Sequence, residues 1–424
     1  MGSLPIGYNP RLPMATLPIR KKLAFSLVLL GFLWLVVEMI CLGGLWYLRR
    51  SKNVVYQPAL VEDLSFKHRA VLGNHLNNVS SYVMFDSELG WTIRPNSVKA
   101  LYRSNSKGLR ATREYEPQPP ADKVRVAAFG DSFTHGDGVA TGETFEEQLE
   151  ALAPGLEVMN FGIPGSDPGQ ALMRYRREGV QFHPSIVLIG YMSENISRMV
   201  NAFRPFYFGM SGLPFSKPRF AVERGKLALI PNPIQSLDGY RELLRDPARV
   251  LPRLGEHDYF YHRNNRRSRG DFLPSVRFAR VVSDQYFNQP IFLHDRYNTR
   301  SEAYQVTFRV LDQFYREALE HGSLPIIVLF PQRREIRLHH RGKPVPYQPL
   351  LNELRRRGYR VIDLADGFQK YDPQGEILST NFTHYPKEGN EMVAEWLRDV
   401  LAQQGLITPE GVRKALAATR APGL

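Results

Sequence analysis

Residues 23–48 read LAFSLVLLGFLWLVVEMICLGGLWYL, an apolar run of 26 residues with a single charge, Glu38. At about 1.5 Å per helical residue the run exceeds a hydrocarbon layer of roughly 30 Å, so it predicts one transmembrane helix and hence contact with membrane lipid. A cleaved secretory signal has a shorter apolar region followed by small residues, whereas Trp46, Tyr47, Arg49 and Arg50 close this one. Ile40 stands before Cys41 where lipoprotein processing needs a small residue, so the sole cysteine reads as a packed or lipid-facing thiol. Glu38 is costly within a bilayer and points either to a neutral or snorkelling carboxyl or to contact with a partner membrane protein. Arg11, Arg20, Lys21 and Lys22 precede the run and Arg49, Arg50 and Lys52 follow it, so charge barely distinguishes the two orientations.

One cysteine excludes a disulfide scaffold and a cysteine-rich zinc site. The formal charge of +13 favours anionic partners: lipid headgroups, acidic polysaccharides or nucleic acid. From residue 203 to residue 300 there are 17 Lys and Arg against 9 Asp and Glu, more than half of that excess. This stretch shows no obvious strand and helix rhythm, and it reads as an insertion at about 203–297. It is either a solvated surface or a lid or docking face for an anionic polymer or headgroup surface.

Elsewhere the body alternates. Short apolar runs suited to buried parallel strands lie at 124–129, 156–161, 185–190, 325–330 and 359–364. Helical patterns lie at 143–153, 169–178, 301–321, 347–357 and 387–403. The expected fold class is α/β with a central parallel sheet, preceded by the transmembrane helix. The expected division is a tail at 1–22, the span at 23–48, a connecting segment at 49–122, the α/β domain at 123–405 and a C-terminal tail at 406–424.

Ligands of such sheets bind at the carboxyl ends of the strands. There the chain carries AAFGDSFTHGDGV (127–139), with Ser132 on a tight strand-to-helix turn that raises its hydroxyl and leaves its backbone N–H facing outward. A serine becomes a nucleophile when an imidazole takes its proton, and the resulting tetrahedral intermediate needs donors aimed at its oxygen. The backbone N–H of Ser132 is itself one such donor. His135 and Asp137 are either substrate contacts or polar residues of the helix start. His339 and His340 lack zinc-ligand spacing, and no Gly-Lys-Ser/Thr follows the glycines near Ser132, so neither a metal nor a cofactor is expected.

Four blocks, taken in order, resemble the SGNH, or GDSL-type, esterase and acyltransferase superfamily. They are Gly130-Asp131-Ser132, VMNFGIPGSD with Asn160, Gly162 and Gly165, VLIGYMSENIS with Asn195, and NFTHYPKEGN with His384 and Gly389. SELGWTIRPNS and SNSKGLRATREY look like segments of membrane-linked polysaccharide-modifying members. The resemblance implies a flavodoxin-like three-layer SGNH domain, with Ser132 as nucleophile and His384 as base. It further implies an oxyanion hole from Ser132, Gly165 and Asn195, and an acylated carbohydrate or polysaccharide as substrate. It places the chain in a bacterial inner membrane with a cytoplasmic tail and a periplasmic body, which argues against nucleic acid as partner.

Two departures stand out. Where the family usually has an aspartate three residues before the histidine, this chain has Asn381, which can orient an imidazole but cannot stabilise its cation by charge. A dyad oriented by a backbone carbonyl is one solution, and Asp363, Asp366, Asp372 or Glu376 is another. The third block reads Ser-Glu-Asn where many members have Gly-Asn-Asp. A chain that retains the fold as a non-catalytic subunit of a membrane complex is the alternative reading.

Overall fold

A computed structural model describes residues 18–52, 63–77, 81–208, 211–264, 269–286 and 290–420. Most of the N-terminal tail, the start of the connecting segment, part of the basic tract (265–268) and the last four residues lie outside these. The chain divides into two compact units, residues 1–57 with 267–284 and residues 58–266 with 285–424.

The first unit contains the helix Ile19–Lys52, long and apolar enough to cross a membrane. Most of its apolar side chains are exposed, among them Phe25, Leu30, Trp34 and Ile40. Glu38 is buried, because Ser275 lies against it at the start of the helix Pro274–Tyr286. The Ser275 backbone N–H and hydroxyl donate to its two carboxylate oxygens at 2.8 and 2.6 Å. Its partner among the described residues therefore comes from the same chain, out of the segment that the sequence assigns to the basic insertion.

In the second unit all five expected apolar runs form strands: β1 (Val124–Phe129), β2 (Leu156–Asn160), β3 (Ile186–Met192), β4 (Leu324–Phe330) and β5 (Val361–Asp363). They make one parallel sheet in the order β5-β4-β3-β1-β2. Alternate residues of each strand feed two cores. Ala127, Phe129, Ile189 and Leu329 pack with Val306 and Phe314 of the helix Glu302–Glu320, and with Leu350 and Leu354 of Gln348–Arg356. Val126, Ala128, Leu188 and Val328 pack on the other face with Phe145 and Leu149 of Phe145–Leu152, and with Val393 and Leu397 of Lys387–Gln403. The result is the expected three-layer arrangement of a parallel sheet covered on both faces.

Three stretches differ from the sequence reading. The connecting segment is built into the domain. Trp91 is fully buried and donates its indole N–H to the Pro164 carbonyl at 2.9 Å, and Gln170 reaches the Leu89 carbonyl at 2.7 Å. The insertion contains a hairpin, Arg219–Glu223 with Lys226–Ile230, and the helices Leu237–Arg245 and Pro247–Gly255. Its aromatic residues Phe203, Phe215 and Tyr240 share a third core with Trp91. The C-terminal stretch forms the helix Pro409–Arg420, whose Val412 is buried in the second core.

Arg125 illustrates how the domain closes around its sheet. Fully buried on β1, it donates to Glu157 at 2.5 Å and to the carbonyls of Pro117, Phe182 and Gln118 at 2.9, 2.7 and 3.2 Å. It thereby fastens the proline-rich end of the connecting segment. Arg125→Met leaves those carbonyls and Glu157 without their donor, and the unfolding free energy of the detergent-solubilised chain in a denaturant titration should fall by about 3 kcal/mol. A loss within error of zero contradicts this role.

Candidate active site

β3, β1 and β2 are neighbours, so the loops at their carboxyl ends meet. β1 runs into Gly130, where a Cβ would stand 2.2 Å from Thr134 Oγ1 and 3.3 Å from the Gly190 backbone, a space only glycine tolerates. Asp131 then caps the four-residue helix Ser132–His135, its Oδ1 accepting from the Phe133 N–H at 2.9 Å. Gly136, with φ +72°, ends that helix. Ser132 is thus the first residue of a helix, where backbone N–H groups have no intrahelical acceptor.

β2 ends at Asn160, whose side chain donates to the Thr134 carbonyl at 2.9 Å and accepts from the Gly162 N–H at 2.9 Å. The loop that follows is tied to the Ser132 turn, with the Ile163 N–H and the Ser166 hydroxyl both donating to the Gly130 carbonyl, at 3.0 and 3.1 Å. Gly165 lies in this loop at φ +74°, and its carbonyl accepts from Arg204 at 3.0 Å. Beyond β3, Asn195 is 1% exposed, and neither atom of its amide has a hydrogen-bond partner. A native protein rarely leaves a buried amide unsatisfied. Glu194 beside it is engaged elsewhere: Tyr207 donates to its carboxylate and Arg198 lies 3.7 Å away.

His384 comes from the loop before Lys387–Gln403, and its Nε2 lies 2.8 Å from Ser132 Oγ. The ring packs on Phe133 with centroids 5.1 Å apart. Its neighbour Tyr385 anchors the loop, donating its hydroxyl to the Pro331 carbonyl at 2.6 Å and stacking edgewise on Phe133 and Phe368. Asn381 is exposed, and its amide oxygen faces Arg333 at 3.4 Å. Three of the acids considered from sequence are committed elsewhere: Asp363 to Tyr347 and the Ala365 N–H, Asp366 to His339, and Asp372 to the Glu376 and Ile377 N–H groups. Among the described residues no acidic side chain hydrogen-bonds His384.

Sequence reasoning missed Arg198. Four per cent exposed, it donates through Nη1 to Asp131 Oδ2 at 3.1 Å and to the Ser166 carbonyl at 3.0 Å. Burial pushes the Asp131 carboxyl up, against the pull of this guanidinium. Its only signal is placement on the short helix after a buried strand, which does not identify its partner.

His135 and Asp137 do not face outward as substrate contacts would. His135 is fully buried between the Tyr82 hydroxyl at Nε2 (3.0 Å) and Asp137 at Nδ1 (2.5 Å), with Arg110 close by. The Arg110 guanidinium, a donor only, lies 3.0 Å from the same Nδ1 that Asp137 approaches. Burial lowers the His135 pKa to about 4. Burial alone would raise Asp137, but its hydrogen bond to His135 and the surrounding positive charges hold it below the usual carboxylate range.

No family model and no curated protein matches the chain. Among solved structures it is similar to a member of the lipolytic protein G-D-S-L family from Veillonella parvula DSM 2008, at 12% identity, 66% of this chain, 98% of that one and TM-score 0.35. It is also similar to a GDSL-like lipase from Bacteroides thetaiotaomicron VPI-5482, at 11% identity, 68% and 91% coverage and TM-score 0.32. A third is an alpha/beta hydrolase enzyme from the metagenome of Lake Arreo, Spain, at 13% identity, 68% and 98% coverage and TM-score 0.35. These likenesses are too distant to transfer anything to this chain, whose site is read from its own geometry.

The folded protein binds fewer protons at His135 than the unfolded chain between pH 6.5 and about 4, so this group's stabilising contribution is whole above pH 6.5 and is lost as pH falls through that window. His135→Gln removes the titration. The stability gap between wild type and His135→Gln, from thermal unfolding at a series of pH values, should narrow on acidification from pH 7 to pH 4. A gap independent of pH contradicts the buried neutral ring.

Proposed function

We propose that the protein is a serine-dependent acyl esterase or O-acyltransferase that works through an acyl-serine intermediate on an extracytoplasmic carbohydrate ester, anchored in a bacterial inner membrane by the helix Ile19–Lys52. The observation that carries the catalytic part is the 2.8 Å contact between Ser132 Oγ and His384 Nε2, made between residues 252 positions apart. The carbohydrate substrate and the periplasmic placement are supported by the sequence resemblance. The membrane anchor is supported by the length and apolarity of the helix.

In the proposed reaction Ser132 Oγ attacks the ester carbonyl carbon while His384 Nε2 takes its proton. The carbonyl oxygen becomes an oxyanion, met by the N–H groups of Ser132 and Gly165 and by the unpartnered Asn195 amide. His384 then returns the proton to the departing alkoxide, leaving acyl-Ser132. Water or a sugar hydroxyl resolves it by the reverse sequence, and which of the two succeeds depends on how well the site excludes water. Among the described residues no acid orients the imidazole by a direct bond, and the ring packs against Phe133. A non-catalytic subunit has no need to hold a serine hydroxyl on an imidazole nitrogen, so that alternative is disfavoured.

A fluorophosphonate probe should label the full-length protein in detergent. Labelling should vanish in Ser132→Ala and slow strongly in His384→Ala; absence of labelling in folded wild type would sink the catalytic reading. With an aryl acetate as substrate, Asn195→Ala should lower kcat by about 100-fold with little change in KM, the pattern for a donor that acts on the transition state. An unchanged kcat removes Asn195 from the oxyanion hole.

A further inference from the structure

The first unit pairs the long apolar helix with a segment from far along the chain. Residues 269–284 begin with a short turn, Arg269–Phe272, and continue into the helix Pro274–Tyr286. Ser275 donates through N–H and hydroxyl to Glu38, and the Phe278 ring lies so close to Gly44 that a Cβ there would stand 2.6 Å from it. Glu38 and Gly44 are thus matched in order by Ser275 and Phe278, and the two helices run in the same direction where they touch.

We infer that residues 269–284 enter the same bilayer leaflet as the C-terminal part of the span and form a second membrane contact locked to it by Glu38. The inference rests on the span reading given above. Glu38 precedes Trp46 and Tyr47, the expected interfacial pair, by eight or nine residues, about 12 Å along a helix, so Ser275 lies below the headgroups. In that medium a helix start with open N–H groups is costly, and so is a carboxylate without donors. The contact satisfies both groups. Pro274 in the first turn has no N–H to satisfy, which removes another open donor.

The chemistry of the segment fits a leaflet. Phe272, 75% exposed, leads the helix together with Leu273 and Pro274 and supplies an apolar tip. Asp271 and Arg280 pair at 3.1 Å, reducing the charge carried inward. The exposed aromatic tip and the continuity with a membrane-spanning helix favour lipid over a soluble partner.

The test uses the full-length protein in phosphatidylcholine and phosphatidylglycerol vesicles, in a Cys41→Ser background, with an environment-sensitive fluorophore on one introduced cysteine. Phe32→Cys reports the span, Asp238→Cys reports an exposed position of the insertion, and Phe272→Cys reports the tip. Nitroxide groups on the lipid chains should quench the labels at 32 and 272 and spare the one at 238. Glu38→Leu should lower quenching at 272 several-fold and leave 32 unchanged. Quenching at 32 but not at 272 overturns the inference while the anchor stands, and this is also the result if another membrane protein's helix is the true occupant. Quenching at neither position overturns the anchor and the inference together. Quenching at 272 that is indifferent to Glu38→Leu overturns the lock.

Discussion

The guanidinium of Arg198 holds together the carboxyl ends of three strands. It stands on the short helix after β3, pairs with Asp131 after β1 and donates to the Ser166 carbonyl after β2. Both members of the pair are almost wholly buried, so losing either would leave an uncompensated charge in the interior, at a cost of about 3–5 kcal/mol. Asp131 spends its other oxygen on the Phe133 N–H. A helix of four residues has no stability of its own, and these bonds, with the brace from Asn160, keep the Ser132 turn in place.

The histidine is positioned by a different kind of force. His384 reaches Ser132 because aromatic packing of Phe133, Tyr385 and Phe368 and the Tyr385 bond to Pro331 set the loop. Asn381, three residues before it, turns outward to Arg333. Packing fixes the direction of a ring but contributes no charge.

Net charge read from composition also overstates how many cations are free. Lys217 of the insertion is buried against Asp167 at 2.5 Å, both nearly inaccessible, and Arg219 is paired with Glu302. These residues fasten the insertion to the domain and are not open to a polymer. Asp258, also buried, accepts from the Ala202 and Phe203 N–H groups and serves the same end. The basic excess of this stretch is partly an internal electrostatic lattice.

Sequence alone determined the five sheet strands, five of the helices around them and the long apolar helix near the N-terminus, because each is written in a local pattern: runs of buried residues at strand length, a repeat of 3.6 for helices, and an unbroken apolar run for the long helix. It also marked Ser132 by its place on a strand-to-helix turn, while Gly165, Asn195 and His384 were singled out only by the family resemblance of their blocks. What it left open depends on pairs distant along the chain. Arg198 with Asp131, Trp91 with Pro164 and Ser275 with Glu38 carry no local signature, because an ion pair or hydrogen bond is defined by distance and direction in space. The same reason hid the order inside the insertion, whose aromatic residues pack on the connecting segment rather than on a neighbouring turn. It also left undecided which of several acids, if any, faces His384, because local sequence carries the list of carboxylates, and only the folded backbone decides which of them another donor has already claimed.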